Sequence, residues 1–432
     1  MSWNFETDPE FQKKLDWAED FVRTEVEPLD HLLGAIYDVK NPDNIRLVRP
    51  LQAKVKAAGL WACHLGPELG GPGYGQVKLA LLNEILGKSD FAPVIFGCQA
   101  PDTGNAEILA HYGTAAQKAR FLQPLLDNEI VSCFSMTEPH GGADPLVFTT
   151  RAERDGDDWV INGEKWFSSN ARWADFLIVM AVTDPDAALP HKRMSMFIVP
   201  SDTPGIEILR NVGFSGEREA AHAYVRYTDV RIPLDHLLGE RGEGFAVAQT
   251  RLGGGRIHHA MRTIGEAKKA LDMMCERALS RVTQGERLSE KQMVQEKIAD
   301  SWIELKQFRL LVLETAWLID KHQDYRKVRK DIAAVKAAMP KVLNDIASRA
   351  LQIHGSIGVS TEMPFVRQII TSYVMGLADG PTEVHKITVA KQVLRDYRPT
   401  NDLFPAYNLI SARERAVEQY PEFEALAEAE YA

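Results

Sequence analysis

Apolar residues recur with a helical period through residues 1–130. Phe11, Leu15, Ala18, Phe21 and Val22 share one helix face, and Glu25-Val26-Glu27-Pro28 is expected to end that run. A glycine- and proline-rich loop from Gly66 to Gly75 precedes a second periodic run at Leu79, Leu82, Ile85 and Leu86, and a further helix is expected through Ala115 to Leu126. Over 131–243 short β-rich runs replace this pattern: Trp159-Val160-Ile161, Phe176-Leu177-Ile178-Val179-Met180, Ser195-Met196-Phe197-Ile198-Val199, Ile206-Glu207-Ile208-Leu209 and Ala223-Tyr224-Val225-Arg226-Tyr227. They are separated by turn formers at Asp155-Gly156, Asn162-Gly163, Pro200, Pro204-Gly205 and Gly213, which predicts a central antiparallel β domain. After Gly244 the helical period returns, with Ile257, Ala260, Met261, Ile264, Ala267 and Leu271 on one face, then Ile298, Trp302, Leu305 and Phe308, then Ile332, Val335, Met339, Val342, Leu343 and Ile346. Long periodic stretches with short connections predict a helical bundle over 244–398. Residues 399–432, with Pro399, Pro405 and Pro421, read as a tail on the surface or on a neighbouring subunit.

A length of 432 residues allows two or three domains with large cores. The net charge of −10 argues against a nucleic-acid-binding surface. Cys63, Cys98, Cys133 and Cys275 are scattered, with no metal-ligand or CxxC spacing, so they read as reduced thiols and no metal site is expected. The start of the chain is acidic (Glu6, Asp8, Glu10), and no apolar run reaches the ~18 residues needed to span a bilayer. A soluble cytoplasmic protein is expected.

Several stretches carry candidate chemistry. Ala378-Asp379-Gly380-Pro381-Thr382-Glu383-Val384-His385 sets a carboxylate before a glycine, where a substrate could approach the backbone. By itself Asp-Gly-Pro is a turn signal. Phe134-Ser135-Met136-Thr137-Glu138-Pro139-His140-Gly141-Gly142-Ala143-Asp144 reads equally as a strand running into a turn or as a phosphate-approaching loop. In Asn162-Gly163-Glu164-Lys165-Trp166-Phe167-Ser168-Ser169, Asn-Gly is a hairpin signal, and the following strand would present Phe167 and Ser169. Gly253-Gly254-Gly255 lacks the P-loop pattern and reads as a flexible lead into the bundle before Arg256, itself either a site residue or a surface cap. Arg281 to Arg287, Gln292 and Gln352-Ile353-His354-Gly355-Ser356 complete the set.

In this order and at this separation the motifs resemble the acyl-CoA dehydrogenase family of flavoproteins, over nearly the whole chain. The resemblance implies an N-terminal helical domain (1–130), a β-barrel-like middle domain (131–243), a C-terminal four-helix bundle (244–398) and a tail (399–432). It implies FAD, an acyl-CoA substrate, electron-transfer flavoprotein as acceptor, and a homodimer or homotetramer. Asp379 stands where most relatives carry Glu and would be the α-proton base, with Glu383 the rival carboxylate. A branch of the family, and the related nitroalkane oxidases, use Asp. The base is expected in a dry pocket where desolvation raises its pKa. By resemblance FAD contacts fall to Phe134, Met136, Thr137, Gly142, Ala143, Phe167, Ser168, Ser169, Arg281, Gln284, Gln292, Gln352, Gly355, Ser356, Pro381, Thr382 and Glu383, and substrate contacts to Ala143, Arg256 and Gly380. Ala143 stands where a serine is usual, Phe167 where Trp is frequent and Gln284 where Phe is usual. The Asp leaves open an oxidase of the same fold acting on a nitroalkane or an acyl-CoA, and the other three departures leave open a non-catalytic acyl-CoA-binding relative.

Overall fold

A computed structural model describes residues 5–32, 34–214, 221–400, 403, 405–423 and 425. The chain divides into two compact units, residues 1–386 and 387–432. The last residues of the expected tail, 426–432, lie outside the described residues.

The first unit begins with helix α1 (Pro9–Phe21), capped by the Asp8 carboxylate, which accepts from Phe11 N–H at 3.0 Å. Its predicted face is buried: Phe11, Leu15, Ala18 and Phe21. The run does not end at Glu25 to Pro28. It continues as a wide turn over Val22–Val26 and a tight one over Glu27–His31, since Pro28 sits in a first turn where no N–H is needed. Helices α2 (Pro42–Ala57), α3 (Gln76–Leu86) and α4 (Asp102–Tyr112) follow, and the expected helix at 115–126 forms as three abutting helical stretches.

Seven strands form the middle sheet: β1 (Ser132–Ser135), β2 (Arg151–Asp155), β3 (Asp158–Ser169), β4 (Phe176–Val182), β5 (Met194–Pro200), β6 (Ile206–Val212) and β7 (His222–Pro233). The order is β1-β4-β2-β3-β7-β6, with β5 on β4. All five expected β runs lie in β3 to β7. The sheet is mixed rather than antiparallel, because β1 and β2 both run parallel to β4. The β2–β3 hairpin separates β1 from β4 in sequence, so β4 returns in the direction of β1. Strand β2 gave no apolar signal, because only Ala152 of its five residues is buried. Asn162-Gly163 is not a hairpin turn. It sits inside β3 at a bulge opposite β7, and the turn is made at Gly156. Gly163 has φ +144°, and a Cβ there would come within 2.5 Å of Thr150.

Beyond the sheet come α5 (Gly244–Ser280), a two-residue-strand hairpin β8/β9 (Val282–Thr283, Glu286–Arg287), α6 (Gln292–His322), α7 (Arg329–His354) and α8 (Phe365–Leu377). The short links make neighbouring long helices antiparallel. Gly253-Gly254-Gly255 is not a flexible lead-in but lies in the interior of α5. A Cβ at Gly253 would press on the Tyr325 ring at 3.1 Å, and one at Gly254 on Glu107 Oε2 at 3.1 Å. Close approach, not flexibility, is what these glycines supply. Helix α9 (Thr382–Leu394) spans the division between the units, and α10 (Leu409–Gln419) belongs to the second. No helix among the described residues is long and apolar enough to cross a membrane.

The loop from Met136 to Thr150 is anchored by a fully buried ion pair. Lys165 Nζ reaches Glu138 Oε1 at 2.9 Å and the Met136 carbonyl at 2.8 Å. Glu138 also accepts from Thr149 N–H at 2.7 Å and Thr150 N–H at 2.9 Å. Replacing Lys165 by Met would strand a buried carboxylate, so the Lys165→Met variant is expected to lose about 3–5 kcal/mol in denaturant unfolding. A loss below about 1 kcal/mol, the range of an exposed pair, would show that the loop is held otherwise.

Candidate active site and cofactor-binding surface

Asp379 lies in the link between α8 and α9, at φ +55°, followed by Gly380 at +104°. Such left-handed backbone is strained for Asp and free for Gly. A Cβ on Gly380 would also crowd His385 Nε2 at 3.0 Å. This turn aims the carboxylate at α5, where a Cβ on Gly255 would sit 3.2 Å from Oδ2. Around it, Arg251 Nη1 is 4.0 Å from Oδ1 and His259 Nε2 is 3.8 Å from Oδ2. The Asp379 carbonyl accepts from Arg256 Nε at 3.0 Å, and His385 Nε2 stands 3.3 Å from it. Arg251, Gly255, His259 and Arg262 therefore form one stripe along α5, at helical spacing.

A buried polar relay fixes Arg251. Its Nε donates to Asn105 Oδ1 at 2.9 Å, and Asn105 donates to Ser132 Oγ at 2.8 Å. Ser132 donates to Asp102 Oδ1 through both N–H (2.8 Å) and Oγ (2.6 Å). The guanidinium also lies 3.9 Å from the centre of the Phe134 ring. Arg251 thus joins Asp379 to the end of β1.

Burial opposes ionisation of Asp379, but His259, Arg251, Arg256 and Lys336 together outweigh it and hold the carboxyl below its ordinary value. The sequence-based expectation of a raised pKa is overturned by these basic side chains, of which Arg251, Arg256 and Lys336 are the cations. His259 is itself pushed down to about 4, by burial first and then by Arg262. Its Nδ1 lies 3.4 Å from Arg262 Nη2, which can only donate, so the ring proton sits on Nε2 and faces Asp379. Glu107, beside Gly254, is raised to about 7 by burial, with Arg251 opposing.

The expected cofactor residues fall into two groups. The first surrounds the ends of β1 and β3. Phe134 pairs with Ser169 across the strands, and Trp166 N–H donates to the Thr137 carbonyl at 2.7 Å. Phe167, at φ +53° and 38% exposed, stacks on Phe214 at 6.2 Å. Ser169 Oγ is 2.8 Å from His222 Nδ1. Met136 and Thr137 are half-buried beside them, and Gly142 and Ala143 are exposed. Ser168 points the other way: it is buried, 2.8 Å from Ser135 Oγ, which reaches Tyr227. Its hydroxyl is therefore engaged in the sheet core. After Asp379, Pro381 and Thr382 are half-buried and Glu383 is exposed, so Asp379 and not Glu383 is the carboxylate held among cations.

The second group is distant. Arg281 and Gln284 lie on the exposed β8/β9 hairpin, with Gln284 (φ +52°) and Gly285 (φ +80°) making its turn, and Gln292 is exposed at the start of α6. Gln352, Gly355 and Ser356 are exposed at the end of α7, where Gly355 (φ +69°) ends the helix as expected. From Gly255 to Ser280, 25 residues at 1.5 Å carry α5 about 37 Å away from the carboxylate. Within one chain the two groups do not meet.

The first group fits a flavin. It offers an exposed aromatic ring, the hydroxyls of Thr137 and Ser169, and Gly142, where a Cβ would crowd Thr137 Cγ2 at 3.3 Å. Arg281 has no carboxylate within ion-pair distance among the described residues, which suits a diphosphate. Arg251, His259, His222, Lys336 and Glu107 were not singled out in the sequence. Counting four residues either way along a helix from Gly255 finds Arg251 and His259, but only once the glycines are known to be helical.

Profiles described as acyl-CoA dehydrogenase N-terminal, middle and C-terminal domain match residues 8–129, 133–230 and 242–394. The chain is 42% identical over 404 residues to probable acyl-CoA dehydrogenase FadE2 of Mycobacterium tuberculosis, covering 92% of this chain and 94% of that protein. It is 39% identical over 396 residues to acyl-CoA dehydrogenase family member 11 of Gallus gallus, covering 89% of this chain but only 50% of that protein, so it spans about half the length of that relative. A solved structure of a putative acyl-CoA dehydrogenase from Mycobacterium abscessus superposes with a TM-score of 0.84 at 37% identity, covering 91% of this chain and all of that one (100%).

Because cations hold Asp379 ionised, the acid limb of the pH profile for substrate-dependent flavin reduction is expected below the ordinary carboxylate range. Arg251→Met should move that limb upward. A limb already near neutrality in the parent protein would contradict the electrostatics.

Proposed function

The chain belongs to the acyl-CoA dehydrogenase family, oxidoreductases that act on acyl-CoA with FAD, and on that premise we propose that it converts a medium- to long-chain acyl-CoA, straight or branched, to the trans-2-enoyl-CoA with Asp379 as the base. One observation carries this reading. Asp379 is held below its ordinary pKa among cationic side chains, reaches the end of β1 through Arg251, and its own N–H has no hydrogen-bond acceptor among the described residues.

Asp379 would take the α-proton. Its free N–H would bind the thioester oxygen and stabilise the enolate-like charge. Bound beside Phe167, Thr137 and Ser169, FAD would supply the acceptor for the β-hydride. Thr137 and Ser169 would donate to the ring edge, with His222 orienting the Ser169 hydroxyl. Phe167 would lie against the ring. Arg256, donating to the Asp379 carbonyl, fixes the turn that carries both the base and the N–H.

Arg281 and Gln352 to Ser356 would serve the FAD of a second copy, since their own chain carries them far from Asp379. Exposed Trp302 (57%), Tyr373 (65%) and Leu377 (68%) on the bundle suit such a contact. We therefore take a homodimer as the minimal unit and a homotetramer as the assembly, three family domains within 1–398, and electron-transfer flavoprotein as acceptor.

Asp379→Asn should keep its flavin yet lose at least about a hundredfold in the rate of anaerobic bleaching by acyl-CoA. Retained bleaching would remove Asp379 from its role. Fast peroxide formation in air by the parent protein would instead favour the oxidase chemistry.

A further inference from the structure

The stripe on α5 continues past the base. Arg262 lies one turn beyond His259, wedged between α5, α3 and the segment before α4. Its partners are neutral and long: Asn83 Oδ1 at 3.4 Å, the Cys98 carbonyl at 3.3 Å and His259 Nδ1 at 3.4 Å. No carboxylate lies within ion-pair distance of it among the described residues, and burial depresses its pKa. A guanidinium taken from water is ordinarily matched by an anion. Beside it, His64 has both ring nitrogens buried without a partner, and its ring lies 6.3 Å from that of His258. Gln99, next to Cys98, is 3% exposed and leaves its Oε1 unpartnered.

Resting on the dehydrogenase reading above, we propose that the acyl group of the substrate carries an oxyanion, a carboxylate or a phosphate ester, that binds Arg262 with His64 beside it. The placement follows the helix. Arg262 is seven residues beyond Gly255, about 10 Å along the axis, so the anion lies a few carbons past the α-carbon that Asp379 deprotonates. Arg262 supplies a fork that suits either oxyanion. His64, neutral at pH 7 and with both ring nitrogens unpartnered, donates through N–H without adding charge, while the Nε2–H of His259 stays on Asp379. The anion would also balance a site in which Arg251, Arg256, Arg262 and Lys336 face the single firmly ionised carboxylate of Asp379.

The test compares octanoyl-CoA, the mono-CoA thioester of a six-carbon dicarboxylic acid, and a phosphorylated hydroxyacyl-CoA on the flavin-loaded protein. Two readouts are taken: perturbation of the flavin absorption on binding, and anaerobic bleaching. At least one oxyanion-bearing thioester should bind and bleach about tenfold or more better than octanoyl-CoA, and Arg262→Met should bring that ratio to about one while Arg262→Lys keeps part of it. Which of the two thioesters is favoured identifies the source of the oxyanion. Octanoyl-CoA matching both, or a preference unchanged in a yellow Arg262→Met protein, would overturn the proposal. If no thioester bleaches the flavin, the dehydrogenase reading fails, and the binding ratio still decides whether Arg262 holds an oxyanion.

Discussion

The buried pair of Lys165 and Glu138 is the interaction on which the site depends. It lies where β1 leaves the sheet, and its hydrogen bonds run in three directions. Glu138 fixes the backbone of Thr149 and Thr150 at the start of β2. Thr150 in turn donates to the Glu164 carbonyl at 3.1 Å and accepts from Val182 N–H at 2.8 Å, so β3 and β4 are tied to the same point. Gly163 must pass within touching distance of Thr150, which forces the bulge in β3. A second register shift between Lys165 and Ser168, where Phe167 takes φ +53°, leaves Phe167 exposed and Ser168 buried. A buried ion pair is poor evidence of net stability, because desolvation offsets its attraction. Here its consequence is positional: it holds a long polar loop against an otherwise apolar sheet.

How much of this was legible depended on whether a residue's own pattern reported its surroundings. The helical and β textures were plain, because burial of one face imposes a period. Asp379-Gly380 was legible as a turn, and the turn is what aims the base. The errors arose where glycine was read as punctuation. Asn162-Gly163 and Gly253-Gly254-Gly255 both look like breaks, and both are interior positions where another group comes too close for a Cβ: Thr150 in one case, Tyr325, Glu107 and Asp379 in the other. Sequence cannot separate these meanings of glycine, because the approaching residue is distant in the chain. The same misreading concealed Arg251 and His259, and with them the sign of the shift at Asp379.

Asp at the base position is answered by its surroundings. A shorter side chain has less reach, yet this carboxylate sits where α5 has been stripped to its backbone at Gly255, and two arginines, a lysine and an oriented imidazole face it. The arrangement trades basicity for assured ionisation. A carboxylate held down in pKa is a weaker base, so the α-proton must be made more acidic by other means. In the proposed reaction the N–H of Asp379 on the thioester oxygen, and the positive field of the α5 stripe around the developing enolate, would supply that acidity. The same field extends along α5 to Arg262, so the groups proposed to govern proton removal and those proposed to meet the far part of the acyl chain would belong to one continuous helix face. A change at one end of the stripe alters the electrostatics of the other.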